Sequence, residues 1–117
     1  MKLERIAPEI PVVNLADSLA YYRTKLGFEV VSEFPDGSYA VVQRDNVAIH
    51  LFEDGAEWRP AGVHIFTGEL EALHDELRSA GAAVTQDIER KPWGNREFRV
   101  SDPSGNQLKF SEPLAED

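Results

Sequence analysis

Apolar positions along this chain switch between strict alternation and a helical spacing, and the switches mark out its elements. Residues 4–13 alternate, with Ile6, Ile10 and Val12 on one face and Ala7, Glu9 and Pro11 on the other. That pattern predicts a strand, and its prolines suit an edge. The spacing then becomes helical through Leu15, Leu19, Tyr22 and Leu26, with Asn14 placed to cap the helix and Gly27 to end it. Alternation returns over residues 29–34, 39–44 and 47–53, separated by turns at 35–38 and 45–46.

After a polar connection at 54–61 the order repeats. Residues 63–67 read as a strand and 69–80 as a helix with Leu70, Leu73 and Leu77 inward, while His74 falls beside that stripe and is expected at the surface. Gly81 is its stop, residues 83–89 are a strand, and a hairpin closes the set. In the hairpin Phe98 and Val100 precede, and Leu108 and Phe110 follow, the turn Asp102-Pro103-Ser104-Gly105-Asn106; Glu97, Arg99, Gln107 and Lys109 take the opposite, polar face. Trp93, between Pro92 and Gly94, lies outside either pattern, either as a plug for the core or as a flat surface for a ligand.

The order is therefore β-α-β-β-β twice, one module over about residues 1–54 and the other over about 62–113, within a single domain spanning 1–117. This is an α+β chain. One set of strand faces (Val47, Ile49, Leu51, Val63, Ile65, Leu108, Phe110) is uniformly apolar and is expected to pack under the helices. The other carries Tyr39, Gln43, Ala48, His50, Phe52, His64, Phe66, Glu97, Arg99, Gln107 and Lys109, a mixture of rings and a few polar groups that suits a ligand pocket better than a solvated face.

Composition removes several functions. The chain has 117 residues, 42% hydrophobic and 28% charged, an ordinary globular balance. It contains no cysteine, so disulfides, thiolate nucleophiles and cysteine zinc sites are excluded. A net charge of −9, from 21 acidic and 12 basic residues, argues against nucleic acid and favours a cationic small molecule. No apolar run reaches the length of a membrane span and the N-terminus lacks the apolar core of a signal peptide, so a soluble cytoplasmic protein is expected. No serine sits in a nucleophile elbow and no glycine loop is built to cradle phosphate.

Three runs carry a family likeness: Val12-Val13-Asn14-Leu15 leading into Ser18-Leu19-Ala20-Tyr21-Tyr22, then Leu26-Gly27-Phe28-Glu29-Val30, and Asp102-Pro103-Ser104-Gly105-Asn106. With them the chain resembles the vicinal oxygen chelate superfamily, which includes glyoxalase I, extradiol dioxygenases, fosfomycin-modifying enzymes and bleomycin resistance proteins. The resemblance implies two βαβββ modules forming a cupped mixed sheet with helices on its outer face. It also implies that the metal-ligand positions of the enzymes fall on Ala7, His50, His64 and Lys109. Ala7 has no donor and Lys109 would repel a cation, so no metal or other cofactor is expected. The alternative is a glyoxalase-like or dioxygenase-like metal enzyme in which Glu9 or Glu97 joins His50 and His64.

The run from Trp93 to Asn106 is more similar to bleomycin resistance proteins, which sequester the drug unaltered. That likeness implies a homodimer binding a cationic aromatic antibiotic at the junction of two subunits, with Trp93 and Tyr39 flanking it and Asp36 near its basic tail, and Phe52 is expected as a further stacking surface. His50, His64, Glu97, Arg99 and Lys109 line the remaining wall.

Overall fold

A computed structural model describes residues 1–55 and 59–113, so part of the 54–61 connection lies outside the described residues. The first module runs β1 (Glu9–Val12), α1 (Leu15–Lys25), β2 (Glu29–Glu33), β3 (Tyr39–Arg44) and β4 (Val47–Glu53). The second runs β5 (Gly62–Phe66), α2 (Leu70–Ser79), β6 (Ala83–Arg90), β7 (Asn95–Ser101) and β8 (Gln107–Pro113). They form two four-stranded sheets of matching order, β1-β4-β3-β2 and β5-β8-β7-β6. In each, the first strand is the parallel edge beside the last, and the other pairs are antiparallel.

The predicted helix stripe is the core stripe: Leu15, Leu19, Tyr22 and Leu26 are all buried, with Ile10, Val12, Ile49 and Leu51 of the first sheet in the same apolar cluster. Phe98, Val100, Leu108, Phe110, Leu70 and Leu77 carry that cluster into the second module. Asn14 caps α1 by accepting from the Asp17 N–H at 2.9 Å, and Gly27 and Gly81 adopt the positive φ that ends each helix.

The repeat also extends to side chains that the pattern did not single out. Glu53, ending β4, accepts the N–H of Leu15 at 2.9 Å, and Glu112, near the end of β8, accepts that of Leu70 at 3.0 Å. Each module thus places a carboxylate from its last strand on the first turn of its helix, where unpaired N–H groups and the helix dipole favour negative charge.

The modules are joined by the turn between β7 and β8. Asp102 is buried, and its Oδ1 accepts the N–H groups of Ser104 and Asn106 while its Oδ2 accepts from Tyr22 and from the Asn106 amide. Asn106 also donates to the Pro11 carbonyl at 2.7 Å and accepts the Ala61 N–H, and the Ser104 hydroxyl accepts the Val13 N–H at 2.9 Å. Tyr21 adds a further link, donating to the Ser101 carbonyl and accepting the Ala83 N–H, both at 2.8 Å.

Two expectations are corrected, and a third residue lies on the expected face but deeper. The first strand begins at Glu9 rather than at residue 4, and Ile6 is 94% exposed instead of facing the core. Pro8 and Pro11 lack N–H donors, so the ladder to β4 starts late, with the Pro8 carbonyl accepting the His50 N–H. His74 is largely covered rather than at the surface: its ring meets Phe98 edge to face at 5.0 Å and reaches Asp87 at 3.2 Å. Glu97, assigned to the polar face, is on that face and yet fully buried.

Candidate functional site

With the helices covering one side of each sheet, the opposite, open sides hold the mixed residues. On the first sheet Glu9 is the Cα partner of His50, and Tyr39 that of Phe52. Since alternate residues share a face, Glu9, Tyr39, His50 and Phe52 stand together. The Tyr39 hydroxyl lies 2.6 Å from His50 Nδ1, with the two rings edge to face at 5.6 Å. Desolvation, and then the Glu9 carboxylate, push the Tyr39 phenol above its ordinary range, so it stays protonated. Phe34 continues this patch, 5.1 Å from Tyr39 between ring centres.

On the second sheet the open side carries His64, Phe66, Glu97, Arg99, Lys109 and Ser111. His64 pairs with Lys109, which pairs in turn with Arg99, while Ser111 sits between Phe66 and Glu97 in the neighbouring row. His64 Nε2 lies 2.6 Å from the hydroxyl of buried Ser111, and its ring lies 4.3 Å from that of Phe66. Partial desolvation and the adjacent Lys109 charge lower the His64 pKa below the usual imidazole value, so the ring is neutral at neutral pH. Arg99 Nε donates to Glu97 Oε2 at 3.2 Å, and Glu97 Oε1 is buried with no hydrogen-bond partner.

The residues singled out from the sequence therefore fall into two groups. Tyr39, His50 and Phe52 gather on one sheet; His64, Glu97, Arg99 and Lys109 gather on the other. Among the described residues no hydrogen bond or ion pair of these groups crosses from one sheet to the other. Asp36 and Trp93 belong to neither. Asp36 is exposed in the β2–β3 turn, where its Oδ1 accepts both the N–H and the hydroxyl of Ser38, bonds that lower its pKa. Trp93, in the β6–β7 loop, is 64% exposed with the Lys91 ammonium 5.9 Å from its ring centre, so it plugs no core.

A groove of about 320 Å³ lies elsewhere. It runs along the seam between modules, floored by Leu26, Phe28, Ile65, Leu73 and Phe110 and rimmed by the Arg44–Glu76 ion pair.

Sequence reading missed Ser111 and Phe34. The alternation from Glu97 and Lys109 points to Ser111, but a lone serine carries little weight beside charged neighbours. Phe34 was hidden because the register shifts between Val30 and Ser32, which breaks the alternation of β2.

A divalent metal does not fit the donors of one chain. His50 and His64 stand on different sheets, and Lys109 stands in register with His64. Among the described residues no three His, Asp or Glu side chains converge.

The chain matches the family model "Glyoxalase/Bleomycin resistance protein/Dioxygenase superfamily" over residues 2–110. It is 25% identical to a bleomycin resistance protein of Geobacillus stearothermophilus, over 92% of this chain and 95% of that one. Among solved structures, TioX from Micromonospora sp. ML1 aligns with a TM-score of 0.82 at 17% identity, covering 95% of this chain and 99% of TioX. The bleomycin resistance determinant encoded on transposon Tn5 aligns at 0.81 with 21% identity, covering 97% and 100%. Paired βαβββ modules, helices on one side only, and a family match spanning both modules lead to one conclusion: this chain belongs to the glyoxalase/bleomycin resistance protein/dioxygenase superfamily.

Proposed function

We propose that the protein is a metal-independent binding protein of the bleomycin resistance type, capturing a cationic aromatic molecule without altering it in a cleft that a second copy completes. The observation that carries this is the separation of two ring-bearing open faces on two sheets of one chain, each with its histidine tied by a neighbouring hydroxyl rather than converging with the other. A face of this kind is half of an enclosure, and a second copy can supply the other half. Tyr39, Phe34 and Phe52 offer stacking surfaces on one half, and exposed Trp93 offers one from its loop. Stacked rings contribute about 0.5–1.5 kcal/mol each beyond burial, and a cation over a ring a similar amount. Glu9 and the net charge of −9 favour a ligand with a positive group.

The relatives named for bleomycin resistance support the choice of probe. Bleomycin titrated by calorimetry is expected to give saturable heat, and sedimentation at tens of micromolar is expected to give a dimer. No saturable heat at high micromolar drug removes bleomycin as the ligand, and a monomer removes the shared cleft. A stoichiometric transition metal in protein purified without chelator removes metal independence.

A further inference from the structure

The register of the second sheet sets basic groups side by side. His64 on β5, Lys109 on β8 and Arg99 on β7 are successive Cα partners, so their side chains form one row across the open face. Two of the three are cations placed directly opposite each other. Like charges in cross-strand positions cost stability, and here Glu97 offsets the Arg99 charge alone. Lys109 is half-buried and forms no ion pair among the described residues. Arg99 engages Glu97 through Nε, and its two terminal nitrogens have no partner among the described residues. The adjoining row holds the carboxylates Glu97 and Glu89; the first is committed to Arg99 and the second pairs with Lys91 at 3.3 Å. His64, neutral at neutral pH, adds a hydrogen-bonding ring instead of a third charge.

This arrangement runs against the charge of the whole chain. A net −9 favours cations at long range, yet the centre of this face leaves the Lys109 ammonium and the two terminal nitrogens of Arg99 uncommitted among the described residues, where a ligand would sit. From this juxtaposition we propose that the row His64–Lys109–Arg99 recognises a carboxylate or similar oxyanion on the bound small molecule. The inference rests on the reading of the open faces as a ligand cleft. Two guanidinium nitrogens of Arg99 match a planar oxyanion in a way a point charge does not, and Lys109 adds the point charge. The first sheet, with Tyr39, Phe52 and Glu9, then takes the aromatic and cationic part. The ligand class is an amphoteric aromatic molecule, acidic at one end, rather than a purely cationic one.

The test uses simple probes on the full chain. Isotope-labelled protein is titrated with 2-naphthoate, with its uncharged counterpart 2-naphthamide and with 2-naphthylmethylammonium, reading amide shifts and dissociation constants by NMR. Naphthoate is expected to bind about tenfold more tightly than naphthamide, with shifts centred on residues 64, 99 and 109. Lys109→Met is expected to reduce that preference severalfold while raising the urea midpoint, because it removes one of two opposed charges. Equal binding of naphthoate and naphthamide, or a preference unchanged in Lys109→Met, overturns the anion inference and leaves the cleft standing. If none of the three probes shifts amides of either open face, the cleft itself is refuted.

Discussion

Tyr22 and Asp102 are hydrogen-bonded at 2.9 Å in the interior, so a helix residue of the first module is held by the turn of the second. Burial, and then the Asp102 charge, push the Tyr22 phenol well above its ordinary range, which keeps it a donor at any physiological pH. Tyr22→Phe removes the donor but leaves a buried carboxylate one bond short. The expected cost is about 1–3 kcal/mol, read as a lower urea midpoint with an unchanged slope.

The exposed position of Trp93 separates stability from binding. Trp93→Ala is expected to change the unfolding free energy by no more than about 0.5 kcal/mol. If the ring stacks on the ligand, the same substitution weakens binding of bleomycin about tenfold, or about 1.4 kcal/mol. Calorimetric titration and thermal melting on the same two proteins check both numbers.

Arg44 joins the modules on the far side, donating to both carboxylate oxygens of Glu76 at 2.6 and 2.9 Å and to the Leu26 carbonyl. The hydrogen bonds from Arg44 lower the Glu76 pKa from its ordinary value of 4.5. A carboxylate with a depressed folded pKa adds stability that is complete above the unfolded value and is lost as pH falls through the folded one. The stability difference between the wild type and Arg44→Met should therefore be widest near about pH 7 and shrink below about pH 4. Half of the Glu76 side chain is exposed, so the effect is expected to be small and to diminish with salt. Urea midpoints across that range decide it; a difference that does not vary with pH would show that Arg44 acts through packing and its bond to the Leu26 carbonyl.

His64 supplies a spectroscopic reading of the second open face. Its pKa lies below the ordinary 6.5, by desolvation first and by the Lys109 charge second. In Lys109→Met the imidazole is expected to titrate higher than in the wild type, in a histidine-resolved NMR titration. An unchanged midpoint would show that the two groups do not sense each other across the strand pair.

Local rules explain which of these features could be read from the chain. Asn14, the Leu15–Leu19–Tyr22–Leu26 stripe and the strands Tyr39–Arg44 and Val47–Glu53 follow from caps and periods that depend on near neighbours, and all fall where expected. The open-face residues were legible for the same reason, because alternation assigns a side. Alternation does not assign a sheet, and the gathering of His50 and His64 on different sheets is a matter of topology. Likewise the Asp102–Asn106 run reads locally as a turn, whereas its side chains are committed to Pro11, Val13, Tyr22 and Ala61, partners between 45 and 95 residues away. The burial of Glu97 had no sequence signal, since alternation assigns a carboxylate to a face without saying how deep it lies.

The junction at Asp102 has a consequence for how a guest molecule is received. Apolar contact alone lets two bodies slide over each other, because it has no preferred direction; hydrogen bonds at fixed angles do not. The two sheets of one chain are aligned by such bonds in the free protein, so if their open faces are the ligand walls proposed above, only the alignment between copies is left to achieve on capture.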